Sequence, residues 1–320
     1  MKPQLSPATV CDVIGVGASS HDTVYRLPTH PRPDAAFAKI RIREVLSAPG
    51  GQTATAMAAC ASLGLRARFA GTFGRDERGR FVRDALAARQ VDVSLAPVKD
   101  ATNQFAVILI DDSTGERIVL WDRDDRLRLQ PDDLPWEAFG TARLLHVDDV
   151  DEDAAILVAE FGRSRGIPVT SDLDRITART ETLVSRVAVP VFAEHLPGQL
   201  TGESDMERAL RRLRRLNEGL LVVTLGAAGA MALEGDDIHL APGFAVPAVD
   251  TTGSGDVFRA GLITGLLAGW DVPRMLRFAN AAAALSCTRV GAMASVPTFG
   301  EVRDLVAGRA RQSSEPGSDE

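Results

Sequence analysis

Val249–Gly261 reads VDTTGSGDVFRAG. Gly253 and Gly255 flank Ser254, and a helix is expected to begin near Asp256. Glycines let a backbone turn sharply and approach a ligand closely. The first turn of a helix carries unpaired N–H groups and a partial positive charge, which suits an anion such as phosphate. The Asp256 carboxylate would reach the same space. An anion hole beside a carboxylate is what phosphoryl transfer needs: the hole stabilises charge on the moving group, and the carboxylate takes the proton from the attacking hydroxyl. The same spacing also fits an ordinary glycine turn, where a helix-start Asp contributes only about 0.3–1 kcal/mol through the helix dipole. Local spacing alone does not separate the two.

The rest of the chain narrows the choice. Its 320 residues, 45% hydrophobic, can bury a large core as one α/β domain or two smaller ones. A net charge of −7 argues against a broad nucleic-acid surface. The basic stretch RALRRLRRLNEG (Arg208–Gly219) reads as the solvated face of a helix. Cys11, Cys60 and Cys287 lie far apart in apolar company and are expected to be buried small hydrophobes. The histidines show no zinc-binding spacing. The start, MKPQLSPATV, is short and polar, and no apolar run approaches a membrane span. These features lead us to expect a soluble, cytoplasmic protein without nucleic-acid or membrane partners.

Buried strands alternate with helices along the chain. CDVIGVGAS reads as a strand, GQTATAMAACASLG as a helix closed by Gly64, RARFAGTFG as a strand and its loop, and DERGRFVRDALAARQ as an amphipathic helix. ARLLHVDDV, DEDAAILVAEFGRSRG and IPVTSDLD repeat the pattern, and GLLVVTLGAAGAMAL holds two strands around a Gly-rich turn. Helices follow at about 256–269 and 272–286. This order predicts a mainly parallel sheet covered on both faces. Two stretches interrupt it. Asn103–Asp124, NQFAVILIDDSTGERIVLWDRD, reads as a β-hairpin, and residues 23–49 are too long for a simple βα loop. Together they suggest a small β-lid, with an edge extension of the main sheet as the other reading. The expected division is a large domain over 10–22, 50–100 and 127–310, a lid over 23–49 and 101–126, and disordered tails at 1–9 and 311–320.

DTTGSGDVFRAG resembles the C-terminal signature of the ribokinase-like carbohydrate kinases, the PfkB family. Three further stretches are similar to that family and occur in its order. They are PGGQTATAMAACASLG (Pro49–Gly64), VVTLGAAGAM (Val222–Met231) and FANAAAALSCTRVGAMASVP (Phe278–Pro297). The resemblance implies a ribokinase-like α/β fold with a small β-lid, and an ATP-dependent kinase acting on the hydroxymethyl group of a sugar or nucleoside. Asp256 would be the general base, with Gly253, Ser254 and Gly255 as the anion hole. Thr224, Gly226 and Gly229 would lie along the nucleotide, and Asn280 near the adenine. Asp22, Gly50, Gly51, Gln52 and Thr55 would bind substrate, joined by Asp148 if it points into the cleft and does not cap a helix. A monovalent cation such as K+ would sit near Asp250, Thr252, Ser286, Arg289, Gly291 and Ser295. Pairing of lids between subunits would make a homodimer, favoured by an apolar outward face on the FAVILI strand.

The chain also departs from the family pattern. Thr55 stands where the family usually carries Asn. The N-x-x-E motif that helps order Mg2+ is replaced by Ala193 and Leu196, with Glu194, Asp172 and Asp174 as nearby acids. A binding protein with little turnover is therefore the alternative outside kinase chemistry. Within it, a free sugar (ribose, fructose or another ketose) leads, a nucleoside follows and a phosphosugar is third, with Arg41, Arg43 and Arg123 the candidate phosphate ligands. VIGVGASSHD has Gly15 and Gly17 but Ser20 where a dinucleotide fingerprint needs its third glycine, which disfavours a nicotinamide-dependent enzyme.

Overall fold

The computed structural model describes residues 11–33, 39–114 and 116–309. The tails expected at 1–9 and 311–320 lie outside them. The strands, in chain order, are β1 (Cys11–Val16), β2 (Ser20–Leu27), β3 (Glu44–Gly50), β4 (Ala67–Phe69), β5 (Phe73–Gly74), β6 (Val98–Lys99) and β7 (Phe105–Asp111). There follow β8 (Arg117–Asp122), β9 (Ala142–Asp148), β10 (Val169–Asp172), β11 (Val191–Phe192), β12 (Leu221–Thr224), β13 (Gly229–Glu234) and β14 (Asp237–Pro242).

One four-stranded sheet, β10-β9-β1-β4, is wholly parallel. A second, β11-β12-β13-β14, continues it through parallel bridges from Thr170 to Val189 and from Leu173 to Phe192. Its last two strands run antiparallel. Alternate side chains of the central strands enter opposite cores, as the pleat requires. Ile14 and Leu145 join the core under the helices Glu152–Arg165 and Thr180–Arg186. Val13 and Leu144 join the core under Gln52–Ser62 and Ser254–Ala268. The sheet is thus buried on both faces, which is why its strands are nearly continuously apolar. Helix Gln52–Ser62 is rich in alanine and buries eight of its residues, so its backbone packs closely against the start of Ser254–Ala268.

A separate four-stranded sheet, β3-β2-β7-β8, stands over the C-terminal ends of the parallel strands. Its first long strand begins at Ser20, so Asp22 lies inside this sheet, not in the loop before it. The FAVILI strand carries half-buried Val107 and Leu109 on the face away from the cleft, beside Leu120 and Ile118 of the next strand. It is β7, an interior strand paired on both edges, and its Ala106 and Ile108 form a small core with Val24. The exposed apolar run is Ile118–Trp121 on the edge strand β8.

The stretch at Arg208–Gly219 places Arg211 and Arg212 beside Glu207 and Glu203 on an exposed helix face. All three cysteines are free. Cys11 and Cys60 are buried as expected, but Cys287 is only half-buried. Among the described residues no helix is long and apolar enough to cross a membrane.

Candidate active site

A cleft of about 470 Å³ lies between the small sheet and the C-terminal ends of the parallel strands. That size suits a small ligand. The Thr251–Gly255 turn and Asp256 form its floor. Gly253 caps helix Ser254–Ala268 with φ of 77°, and no side chain caps the helix. A Cβ there would also stand 2.8 Å from Ala292 Cβ and 3.3 Å from Thr55 Cγ2, so the position requires glycine on two counts. The bare helix start therefore faces the cleft with Asp256 in its first turn.

Asp256 is half-buried at the cleft surface, yet protein packs closely around its carboxyl. This desolvation pushes its pKa well above the usual carboxylate range, and Asp172 pushes it further. The neighbouring Asp172 carboxyl favours the protonated form of Asp256 through its charge and a hydrogen bond, and the two groups titrate together. Burial also raises Asp172, to about 7, against the opposing pull of Arg259. Arg259 Nη2 pairs with Asp172 Oδ1 at 2.6 Å, and both side chains are almost wholly buried. A Cβ on Gly255 would stand 2.8 Å from Arg259 Nη1, so the guanidinium lies directly beneath the glycine turn. Arg259 follows Asp256 by three residues in one helix and shares its face.

The small sheet contributes Ser20, Asp22, Ala106, Ile108, Arg117, Val119 and Trp121 to the cleft. Asp22 accepts from Ser20 Oγ at 2.6 Å, and burial raises its pKa. Gly50 is packed against it: a Cβ would lie 2.1 Å from Asp22 Oδ2. Gly51 and Gln52 also line the cleft. Two residues expected there do not. Thr55 is fully buried, its methyl group turned toward Gly253 and its hydroxyl without a partner among the described residues. Asp148 is buried and fully engaged. It accepts from Ala18 N at 2.7 Å and Thr53 Oγ1 at 2.8 Å through one oxygen, and from Val150 N at 3.0 Å through the other. It also accepts from Thr53 N, in the first turn of helix Gln52–Ser62, at 3.4 Å, and so ties the β1–β2 loop to that helix start.

On the opposite side, Thr224 lines the cleft, while Gly226 is exposed on the neighbouring turn and Gly229 is buried against β14. The Asn280 amide nitrogen donates to Ala241 O at 2.9 Å and Pro242 O at 3.2 Å. It pins the end of β14. Of the residues expected around a monovalent cation, Asp250 accepts from Thr252 N at 2.9 Å and Gly291 N at 2.8 Å, joining two loops. The Ser286 and Ser295 hydroxyls donate back to Ala283 O and Ala292 O, and Arg289 pairs with Glu301. These side chains are already committed. Leu196 is in the core and Glu194 is exposed, while Ala193 and the nearby acid Asp174 line the cleft. Among the described residues no three His, Cys, Asp or Glu side chains form a metal cluster.

The Arg259–Asp172 pair and the lining arginines Arg117 and Arg175 were missed from sequence. Only Arg259 had a signal, its i+3 spacing from Asp256. Arg43 and Arg123, considered for a phosphosugar, pair instead with Asp112 and Asp151.

The pfkB family carbohydrate kinases match the chain over residues 25–299. A fructokinase of Klebsiella pneumoniae is 34% identical over 286 residues, covering 79% of this chain and 90% of that one. An ATP-dependent ribose-1-phosphate kinase of Halopiger xanaduensis is 28% identical over 298 residues, or 93% and 98% of the two chains. The structure of Arabidopsis thaliana ribokinase complexed with ribose and ATP superposes with a TM-score of 0.79 at 24% identity, over 92% and 98% of the chains, and so shares the fold. This chain belongs to the pfkB family of carbohydrate kinases, phosphotransferases with an alcohol group as acceptor.

Proposed function

We propose that the protein transfers the γ-phosphoryl group of ATP to a hydroxymethyl group of a free sugar of the ribose or ketose type. One observation carries the reading: a raised-pKa carboxylate, Asp256, adjoins an uncapped helix start in a cleft whose other wall holds Asp22. The N–H groups of Gly253, Ser254 and Gly255 stabilise charge on the transferred group. Asp256 takes the proton of the acceptor hydroxyl as the new O–P bond forms and ADP departs. Burial and Asp172 raise its pKa, which makes it a stronger proton acceptor than a free carboxylate. Asp22 accepts hydrogen bonds from vicinal sugar hydroxyls, and charge-assisted bonds of this kind are strong. Gln52 and Gln104 add polar groups to the same wall.

Mg2+ bound with the nucleotide would be held mainly by phosphate and water and would neutralise phosphate charge. Asp174 is a carboxylate on the cleft wall that would orient its waters. We further propose that the exposed β8 edge, with Ile118 and Leu120 on its outer face, pairs two copies of the chain. Sedimentation showing only a monomer at micromolar concentration would refute that part.

The test of the activity is a coupled ADP-release screen over sugars, nucleosides and phosphosugars with Mg2+, with and without K+. Turnover with a neutral sugar supports the proposal. Nucleoside turnover would instead assign Trp121 to a base, and ligand binding with no ADP release anywhere would overturn kinase function.

A further inference from the structure

Resting on that kinase reading, we infer that Arg117 is a further catalytic residue: the small sheet supplies its guanidinium to the transferred phosphoryl group. Position and pairing both support this. Arg117 opens strand β8 and, with Val119 and Trp121, falls on the period-two face that lines the cleft. Its cross-strand partner is Ile110, while Val119 and Trp121 face Ile108 and Ala106. From there it spans the cleft, and Nη1 donates to Thr251 Oγ1 at 3.1 Å and Thr252 Oγ1 at 3.3 Å. Those hydroxyls immediately precede the Gly253–Gly255 turn, so the charge rests at the rim of the anion site.

Other arginines of this region are neutralised. Arg259 is paired with Asp172, Arg175 with Asp149, Arg43 with Asp112 and Arg123 with Asp151. Arg117 meets only neutral hydroxyls, with no carboxylate within ion-pair distance among the described residues. Neutral partners are readily exchanged for phosphate oxygens, which a guanidinium binds in a charge-assisted, often bidentate way. In the reaction the acceptor oxygen bonds to the γ-phosphorus, the bond to the β,γ-bridging oxygen breaks, the acceptor proton passes to Asp256, and ADP leaves. Arg117 stabilises the charge spread over the equatorial oxygens during that exchange. The missing magnesium pair at Ala193 and Leu196 leaves more of that charge for the protein to meet elsewhere.

The test uses the full chain and the variants Arg117→Ala and Arg117→Lys, with two readouts. In turnover with the best neutral acceptor, Arg117→Ala should lower kcat by about 10²-fold, below the 10³–10⁵ contributed by an arginine supplied to GTPases. The acceptor KM should change by less than about threefold, and guanidinium ion should restore part of the rate. Arg117→Lys, which keeps a point charge but loses the fork, should fall between. In calorimetric binding, Arg117→Ala should weaken a non-hydrolysable Mg·ATP analogue but not Mg·ADP. Unchanged kcat, or equal weakening of both nucleotides, overturns the proposal. So does an effect confined to the KM of phosphorylated acceptors, which would place the guanidinium on an acceptor phosphate. Should the wild-type chain turn over no acceptor, the kinase reading fails, while the nucleotide comparison still tests whether Arg117 senses the γ-phosphoryl group.

Discussion

Arg259 and Arg117 line the same cleft from opposite regions. Arg259 belongs to the floor: it is 4% exposed, ion-paired to Asp172 and wedged beneath the glycine turn. Arg117 belongs to the wall: it stands on an exposed edge strand and touches only two threonine hydroxyls. The floor has its charges matched internally before any ligand arrives, and breaking it should damage fold and chemistry together. The wall keeps a cation whose partner is exchangeable, and breaking it should damage chemistry alone.

The largest expected effect on the floor is that of Asp256→Asn, which should lower kcat by about 10³-fold, within the range for loss of a general base, and leave nucleotide affinity intact. Turnover close to wild type would remove the assignment. The same variant should be more stable than wild type at neutral pH. A carboxyl whose folded pKa lies above its unfolded value stabilises the folded state at low pH, and that contribution is lost as pH rises through the folded pKa. Asp256 and Asp172 are both raised, Asp172 to about 7 from 3.8, so the loss spans that interval. Melting temperatures of wild type and variant should therefore converge below about pH 4 and separate toward pH 7 to 8. Wild-type kcat should fall on the acid side, as the base takes up its proton.

Next comes Arg259→Met, which leaves Asp172 buried without its partner. It should cost about 3–5 kcal/mol in urea unfolding, and adding Asp172→Leu should recover much of that loss. A single variant as stable as wild type would show that the pair is not what holds the floor. Gly51→Ala should cost less, about 1–3 kcal/mol. The residue has φ of 98°, and a Cβ would lie 2.7 Å from Ala18 O. The smallest stability change should come from the wall. Trp121→Ala, at 60% exposure, should shift unfolding by under about 0.5 kcal/mol while raising the acceptor KM several-fold. A large loss of stability in that variant would erase the contrast between the regions.

Much of the fold was legible because its signals are local. The DTTGSGD turn, the alanine-rich helix after Gly51, the hairpin around Asp111 and the alternation of buried strands with helices each declare themselves within about fifteen residues. Several site residues were not legible. Thr55 and Asn280 were carried into the site by family resemblance, and Asp148 was left between two roles; the structure buries Thr55, bonds the Asn280 amide nitrogen to the end of β14 and sets Asp148 against the start of helix Gln52–Ser62. The outer apolar face was legible in the FAVILI strand, but not that its most exposed part would fall on the next strand, at Ile118–Trp121. A hairpin's sequence does not say which of its strands acquires a second neighbour; β2 pairing with β7 settled that.

The sequence by itself determined the backbone of the chemistry: a glycine turn, a helix start and Asp256 three residues after Gly253, because spacing along a chain sets geometry over a single turn. Only the tertiary structure decided what surrounds that carboxylate. Asp172 comes from a strand 84 positions earlier and Arg117 from another sheet, and both meet the turn across long separations. Desolvation and charge pairing depend on every atom within a few ångströms, and such neighbours are brought together by packing, which one-dimensional spacing does not encode.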